Sequence, residues 1–195
     1  FTPGIPADSP MILTMAASQQ NRIAWISSLR GLMIGTSEGE WRLRASDSAG
    51  INANNAEFER HSGVGSSLLD ALTVENSLLF VQQGGRKVRE FFYSLEADGF
   101  LTRDVSLLSD HLLTEGIVDW TVQRSTAFHV WCVLKDGSAV CMTLNREQNI
   151  VAWHAHRLEH GRILSVASLR SSQDTQDEEV WFTVERGEGE HACIT

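Results

Sequence analysis

The sequence predicts a mainly β protein: β-propeller-like, with repeated antiparallel three- to four-stranded units and one short helix. Three observations predict it. Short apolar runs rich in Val, Ile, Leu, Phe and Trp recur, divided by turns that contain Gly, Asp or Asn. The turn glycines Gly39, Gly85, Gly137 and Gly187 follow one another at 46, 52 and 50 residues, near the period of roughly 40–50 residues of propeller blades. All six Trp residues fall in or beside those apolar runs. A β-sandwich or open barrel with an inserted helix is the alternative that the same periodicity fits.

Residues 1–20 hold all three prolines and read as an extended lead-in. A β-rich, propeller-like domain over 21–186 follows, with units at about 22–44, 70–94, 117–155 and 163–186. In the first unit, Ile23-Ala-Trp25-Ile26, the run 32–36 and Glu40-Trp41-Arg42-Leu43 are strands. The polar stretch 45–67 reads as a long connection with one short strand at 57–60. In the second unit the apolar run 78–81 turns at Gly84-Gly85 and returns over 87–93. A helix is expected over 104–113: Asp104 caps it, Val105, Leu108 and Leu112 share a stripe, and Gly116 lies just past its end.

The third unit carries the strongest local signal. After a leading strand at 117–123, residues 130–153 read as three strands joined by two tight turns. Asp136-Gly137 supplies the two positive-φ positions of a type I′ hairpin. That loop sets Leu134 against Ala139, Val133 against Val140 and Cys132 against Cys141. Both cysteines are expected as reduced, buried thiols, with a cross-strand disulfide between them as the alternative. Trp131, mid-unit on a strand apolar on both faces, is expected between sheets. In the fourth unit, strands at 163–169 and 180–185 flank a polar loop at 170–179. The tail, 187–195, reads as weakly structured. A lone three-stranded meander cannot bury both its faces, so the units need one another.

The chain of 195 residues is long enough to bury a sizeable core. No apolar run reaches the roughly 18 residues that span a membrane. The start, Phe1-Thr2-Pro3-Gly4, reads as neither an initiator nor a secretory leader, and a fragment of a longer protein is the expectation. A net charge of −9 argues against a duplex-DNA binder, which concentrates Lys and Arg.

Residues able to carry chemistry do not assemble into a site. His154, His156 and His160 form the densest histidine cluster, and the first two share a strand face. No carboxylate stands at a fixed spacing from them, so they are read as surface residues. Ser106, Asp110 and His111 lie close in sequence, yet neighbouring helical positions point apart. Arg86, Lys87 and Arg89 form a short basic patch, read as charge protecting an edge strand. Gly63-Val64-Gly65 is too short for a phosphate loop. Asp136 is explained by its turn. No catalytic, cofactor-binding or metal-binding residue is therefore assigned, and no cofactor is expected.

Several segments in order resemble a family of structural proteins of short-tailed bacteriophages and prophages, the tail tubular or nozzle proteins. These are GLMIGTSEGEW at 31–41, LLFVQQGGRKVRE at 78–90, residues 104–113 with their Asp-His-Leu, and WCVLKDG at 131–137. TLNREQ at 143–148 and Ala152-Trp153-His154 complete the set. The resemblance implies propeller-like β-domains, assembly as a ring that conducts DNA, and no enzymatic activity. It implies copies of the same chain and neighbouring tail or portal-adaptor proteins as partners. It also implies a place in the virion tail, reached from the bacterial cytoplasm. Specific nucleic-acid binding and membrane insertion are not expected. A β-propeller glycan-binding or glycan-hydrolysing module is the alternative reading; a hydrolase of that kind needs two carboxylates converging in one cleft.

Overall fold

The computed structural model describes residues 12, 14, 21–47, 50–125, 127–171, 177–187 and the backbone of 190–194. Within them, strands consecutive in sequence form four antiparallel sheets. The first is β1 (Ile23–Ser28), β2 (Leu32–Thr36), β3 (Gly39–Ala45) and β4 (Ala56–Ser62). The second is β5 (Leu72–Val74), β6 (Ser77–Val81), β7 (Val88–Ser94) and β8 (Gly99–Asp104). The third is β9 (Ile117–Arg124), β10 (Phe128–Leu134), β11 (Ala139–Asn145) and β12 (Ile150–His156). The fourth is β13 (Arg162–Arg170), β14 (Glu178–Arg186) and β15 (Glu190–Ile194). The first strand of the third sheet, β9, lies against the first strands β5 and β13 of its neighbours. The architecture is mainly β and propeller-like.

The sheets stack through their middle strands. β6 is buried at every position. Its alternate residues serve two cores: Leu78 and Phe80 pack with Trp25, Met33, Phe91 and Phe100 towards the first sheet. Leu79 and Val81 pack with Trp120, Val130, Cys132 and Met142 towards the third. β10 repeats the arrangement, sending Val130, Cys132 and Leu134 to that second core and Val133 to a third. The third core holds Ala139, Ile163, Val166 and Val184. A strand buried on both faces reads as an unbroken apolar run, which is why these strands stand out in the sequence.

All six Trp residues lie in strands: Trp25, Trp41, Trp120, Trp131, Trp153 and Trp181. Gly39, Gly85, Gly137 and Gly187 each fall at the passage from the second to the third strand of a sheet. Gly39 opens β3 against β4, where a Cβ would meet the Ser62 carbonyl oxygen at 2.3 Å.

Several expectations are corrected. The helix expected over 104–113 is a 3₁₀ helix over Leu107–Leu112, kinked by non-helical geometry at Ser109 (φ −132°, ψ 23°). Asp104 is the last residue of β8 and caps no helix. Its carboxylate accepts from the Ser106 N–H (2.9 Å) and hydroxyl (2.7 Å), and Ser106 Oγ in turn accepts from the Val88 N–H (3.1 Å). These bonds fasten the chain to β7 where a helical first turn would begin. The supposed stripe is split: Val105 is buried, whereas Leu108 is 92% exposed.

The hairpin after β10 has three loop residues, not two. The Leu134 N–H donates to the Ser138 carbonyl (2.9 Å), and the Gly137 N–H donates to the Leu134 carbonyl (2.9 Å). Only Gly137 takes a positive φ, +84°. Asp136 Oδ1 accepts from the Ser138 N–H and hydroxyl, which fixes the longer loop. The register moves by one, so Trp131 faces Cys141 and Cys132 faces Val140. Cys132 and Cys141 thereby fall on opposite faces, both free and buried. Trp131 is half-buried rather than enclosed, its indole N–H donating to Gln123 Oε1 (3.1 Å).

The short strand expected at 57–60 is present and longer, as β4 over Ala56–Ser62, and the second sheet continues past residue 94 into β8. Residues 190–194, read as weakly structured, form β15 against β14. β7, with Arg89, is an interior strand, so edge protection does not explain the basic patch. Of the lead-in, only Ile12 and Thr14 are among the described residues.

A tight contact offers a test of the packing. The Trp25 indole covers Gly35 so closely that a Cβ there would lie 2.0 Å from Trp25 Cε2. Gly35→Ala is expected to lower stability by about 1–3 kcal/mol through overpacking. Chemical denaturation followed by Trp emission reads both the lower midpoint and the release of the indole.

Candidate functional site

The histidines expected on one strand face are there. His154 and His156 project from β12 with ring centroids 4.7 Å apart, and Trp131 lies 4.9 Å from His156. Burial and the neighbouring His154 lower the pKa of His156. His160 lies in the following turn, and among the described residues no three His, Cys, Asp or Glu side chains gather as metal ligands. Ser106 is engaged with Asp104, while Asp110 and His111 are exposed. Lys87 pairs with Asp104 (3.0 Å), Arg89 Nε donates to Gln82 Oε1 (2.7 Å), and Arg86 is exposed. The Asp136 pKa is lowered chiefly by its bonds to Ser138.

Gly63-Val64-Gly65 belongs to a splice between the first two sheets. Gly65 has φ +74°, and its carbonyl accepts from the Gln83 N–H (3.0 Å). The Ser66 N–H donates to the Thr36 carbonyl (2.8 Å), and the Ser67 N–H to the Val81 carbonyl (2.8 Å). Consecutive backbone groups thus bond to different sheets. Beside them lies the fully buried Glu40, whose Oε1 accepts from Ser66 Oγ (2.8 Å). Burial raises the Glu40 pKa against the opposing bonds from Ser62 and Ser66.

The second buried carboxylate, Glu90, anchors a charge cluster between the second and third sheets. Its Oε2 accepts from Arg103 Nε (2.6 Å), and its Oε1 meets the Arg146 guanidinium. Arg146 comes from the β11–β12 turn, reaching across to Ser77 Oγ (2.8 Å) and Glu75 Oε2 (3.3 Å). Two carboxylates and two guanidiniums balance. The arrangement is an intersheet clamp with no excess positive charge for an anion.

Two recesses of about 340 Å³ flank the clamp, sharing Arg103 and Val151. One is lined by Arg146, Asn145 and Asn149, the other by Leu107, Leu108 and Trp153. The sequence reading missed Glu40, Glu90, Arg103 and Arg146. The two clamp arginines stand on different sheets, 43 residues apart, and no local spacing marks them.

No protein-family model matches this chain, and no curated protein matches it either. The fold and the clamp define a propeller-like β module whose buried polar groups fasten one sheet to the next.

Two outcomes follow from the buried carboxylates. Arg146→Ala leaves Glu90 buried with one counter-charge fewer and is expected to cost about 3–5 kcal/mol. A double variant, Glu90→Leu with Arg146→Met, removes both charges and is expected to recover much of that loss in urea denaturation.

Glu40 sets a pH dependence of defined sign. Its folded pKa is raised, so the native state holds a proton that the unfolded state has released. Its contribution is therefore most favourable below the unfolded pKa and is lost as pH rises through the folded value. Glu40→Gln is expected to flatten this part of the stability–pH curve above pH 4.5, as measured by denaturation midpoints across the acid range.

Proposed function

We propose that this chain is a structural component of a bacteriophage or prophage virion, part of a tail tube or nozzle protein. It acts by assembly into a ring that conducts DNA and catalyses no reaction. The observation that carries the reading is the placement of the family-like segments. The segment 31–41 spans β2 into β3, 78–90 spans β6 into β7, and 131–137 runs from β10 into its turn. The resemblance thus falls on equivalent strand passages of successive sheets. Its partners are other copies of itself and the adjoining tail or portal-adaptor proteins, and its place is the virion tail.

A conduit for a polyanion works when phosphates find few unneutralised cations. Acidic residues number 25 against 16 basic ones. Arg44, Lys87, Arg103, Arg124 and Arg146 already face carboxylates within the chain. Both features support passage without adhesion.

Electron microscopy of the full-length protein, with a duplex-DNA gel shift beside it, tests the proposal. Rings with a central opening and no shift near physiological salt are expected. A full-length protein that remains monomeric in every buffer, or a chain that shifts DNA at micromolar concentration, overturns it.

A further inference from the structure

β12 ends the third sheet, and among the described residues no strand pairs with its free side. An unpaired edge is a template for another strand, and proteins ordinarily blunt it with charge, proline or a bulge. The outer strands of the first two sheets are blunted: β4 carries Glu57, Glu59 and Arg60, and β8 ends in Arg103-Asp104. β12 reads IVAWHAH, seven residues without Lys, Arg, Asp, Glu or Pro, six of them exposed. Its pairing with β11 runs from Asn145↔Ile150 to Ala139↔His156 without a register shift, so no bulge turns the edge away. Beside it lies the recess formed by Leu107, Leu108, Val151 and Trp153, with Leu107 62% and Leu108 92% exposed.

We propose that β12 pairs antiparallel with β12 of a second copy of this chain, about a two-fold axis through Ala152. Charge at the strand ends selects both the occupant and the register. Glu147 precedes the strand and Arg157 follows it, both exposed. With Ala152 on the axis, Glu147 of each copy comes to the strand end where Arg157 of the other emerges, twice per pair. Moving the axis to Trp153 brings Glu147 towards Glu159, and moving it to Val151 leaves Arg157 beside Asn145.

The Ala152 register also sets Val151 against Trp153 of the other copy, on the face of the leucine recess. The second strand then extends the sheet beside Leu107 and Leu108, covering apolar surface that is exposed in the single chain. Such a contact is isologous and closes at two copies. It does not rest on the virion reading.

Sedimentation velocity over a concentration series tests the pairing. The expected result is a reversible monomer–dimer equilibrium. Ala152→Lys sets two ammonium groups together at the axis and is expected to abolish the dimer. The circular dichroism of the exposed-site variant stays that of the parent. Glu147→Arg is expected to weaken the dimer, and Glu147→Arg combined with Arg157→Glu to restore it. A chain that is monomeric at every concentration reached, or a dimer that survives Ala152→Lys, overturns the proposal. A dimer lost in Glu147→Arg and not regained in the charge-swapped double variant overturns the axis at Ala152.

Discussion

Everything in this molecule depends on strands buried on both faces. β6 and β10 each feed side chains into two cores, so neither can be satisfied within its own sheet. A side chain of Leu or Phe size, fully removed from water, contributes about 1.5–3 kcal/mol. That gain is available at Leu78 and Phe80 only if the first sheet is in place, and at Leu79 and Val81 only if the third is. Each sheet is therefore a condition for the next, and cooperativity runs along the series. The polar fastenings follow the same logic. The splice at Gly65–Ser67 and the clamp around Glu90 sit at sheet boundaries, where a backbone or charged group without a partner would be costly.

This constraint also explains what could be read beforehand. Interior strands carry runs such as Leu78-Leu79-Phe80-Val81, whose apolarity is dictated by two-sided burial. Their spacing and the glycines between them disclosed the repeat. Outer strands have one side or none to bury. In β4 only the run Glu57-Phe58-Glu59-Arg60 reads as strand, and the full length Ala56–Ser62 follows from its pairing with β3. The segment around Asp104–Leu113 misled for a different reason. Its apolar residues satisfy a helical spacing, yet Val105 and Leu113 enter the core while Leu107 and Leu108 face outward. Side-chain capture of Ser106 by Asp104 decided the local geometry, and that competition is invisible to periodicity.

The hairpin at Lys135–Gly137 carried the subtlest ambiguity. Asp-Gly between two apolar runs is compatible with a two-residue or a three-residue loop. The bond that the Ser138 N–H donates to Asp136 Oδ1 selects the longer one. The difference of one residue redistributes the strand's side chains between cores. The buried charges were out of reach of any local reading, because Glu90, Arg103 and Arg146 meet only after three separate elements are positioned.

That one-residue choice leaves a chemical record. Burial pushes the Cys141 thiol up to about 12 and the Cys132 thiol higher, so neither is a thiolate nucleophile in the folded chain. In the native sheet they are also on opposite sides of the same pair of strands. The alternative two-residue loop would bring them face to face. A Cys132–Cys141 crosslink recovered after oxidation would therefore be the signature of chains that closed the turn one residue short, a covalent count of misregistered molecules.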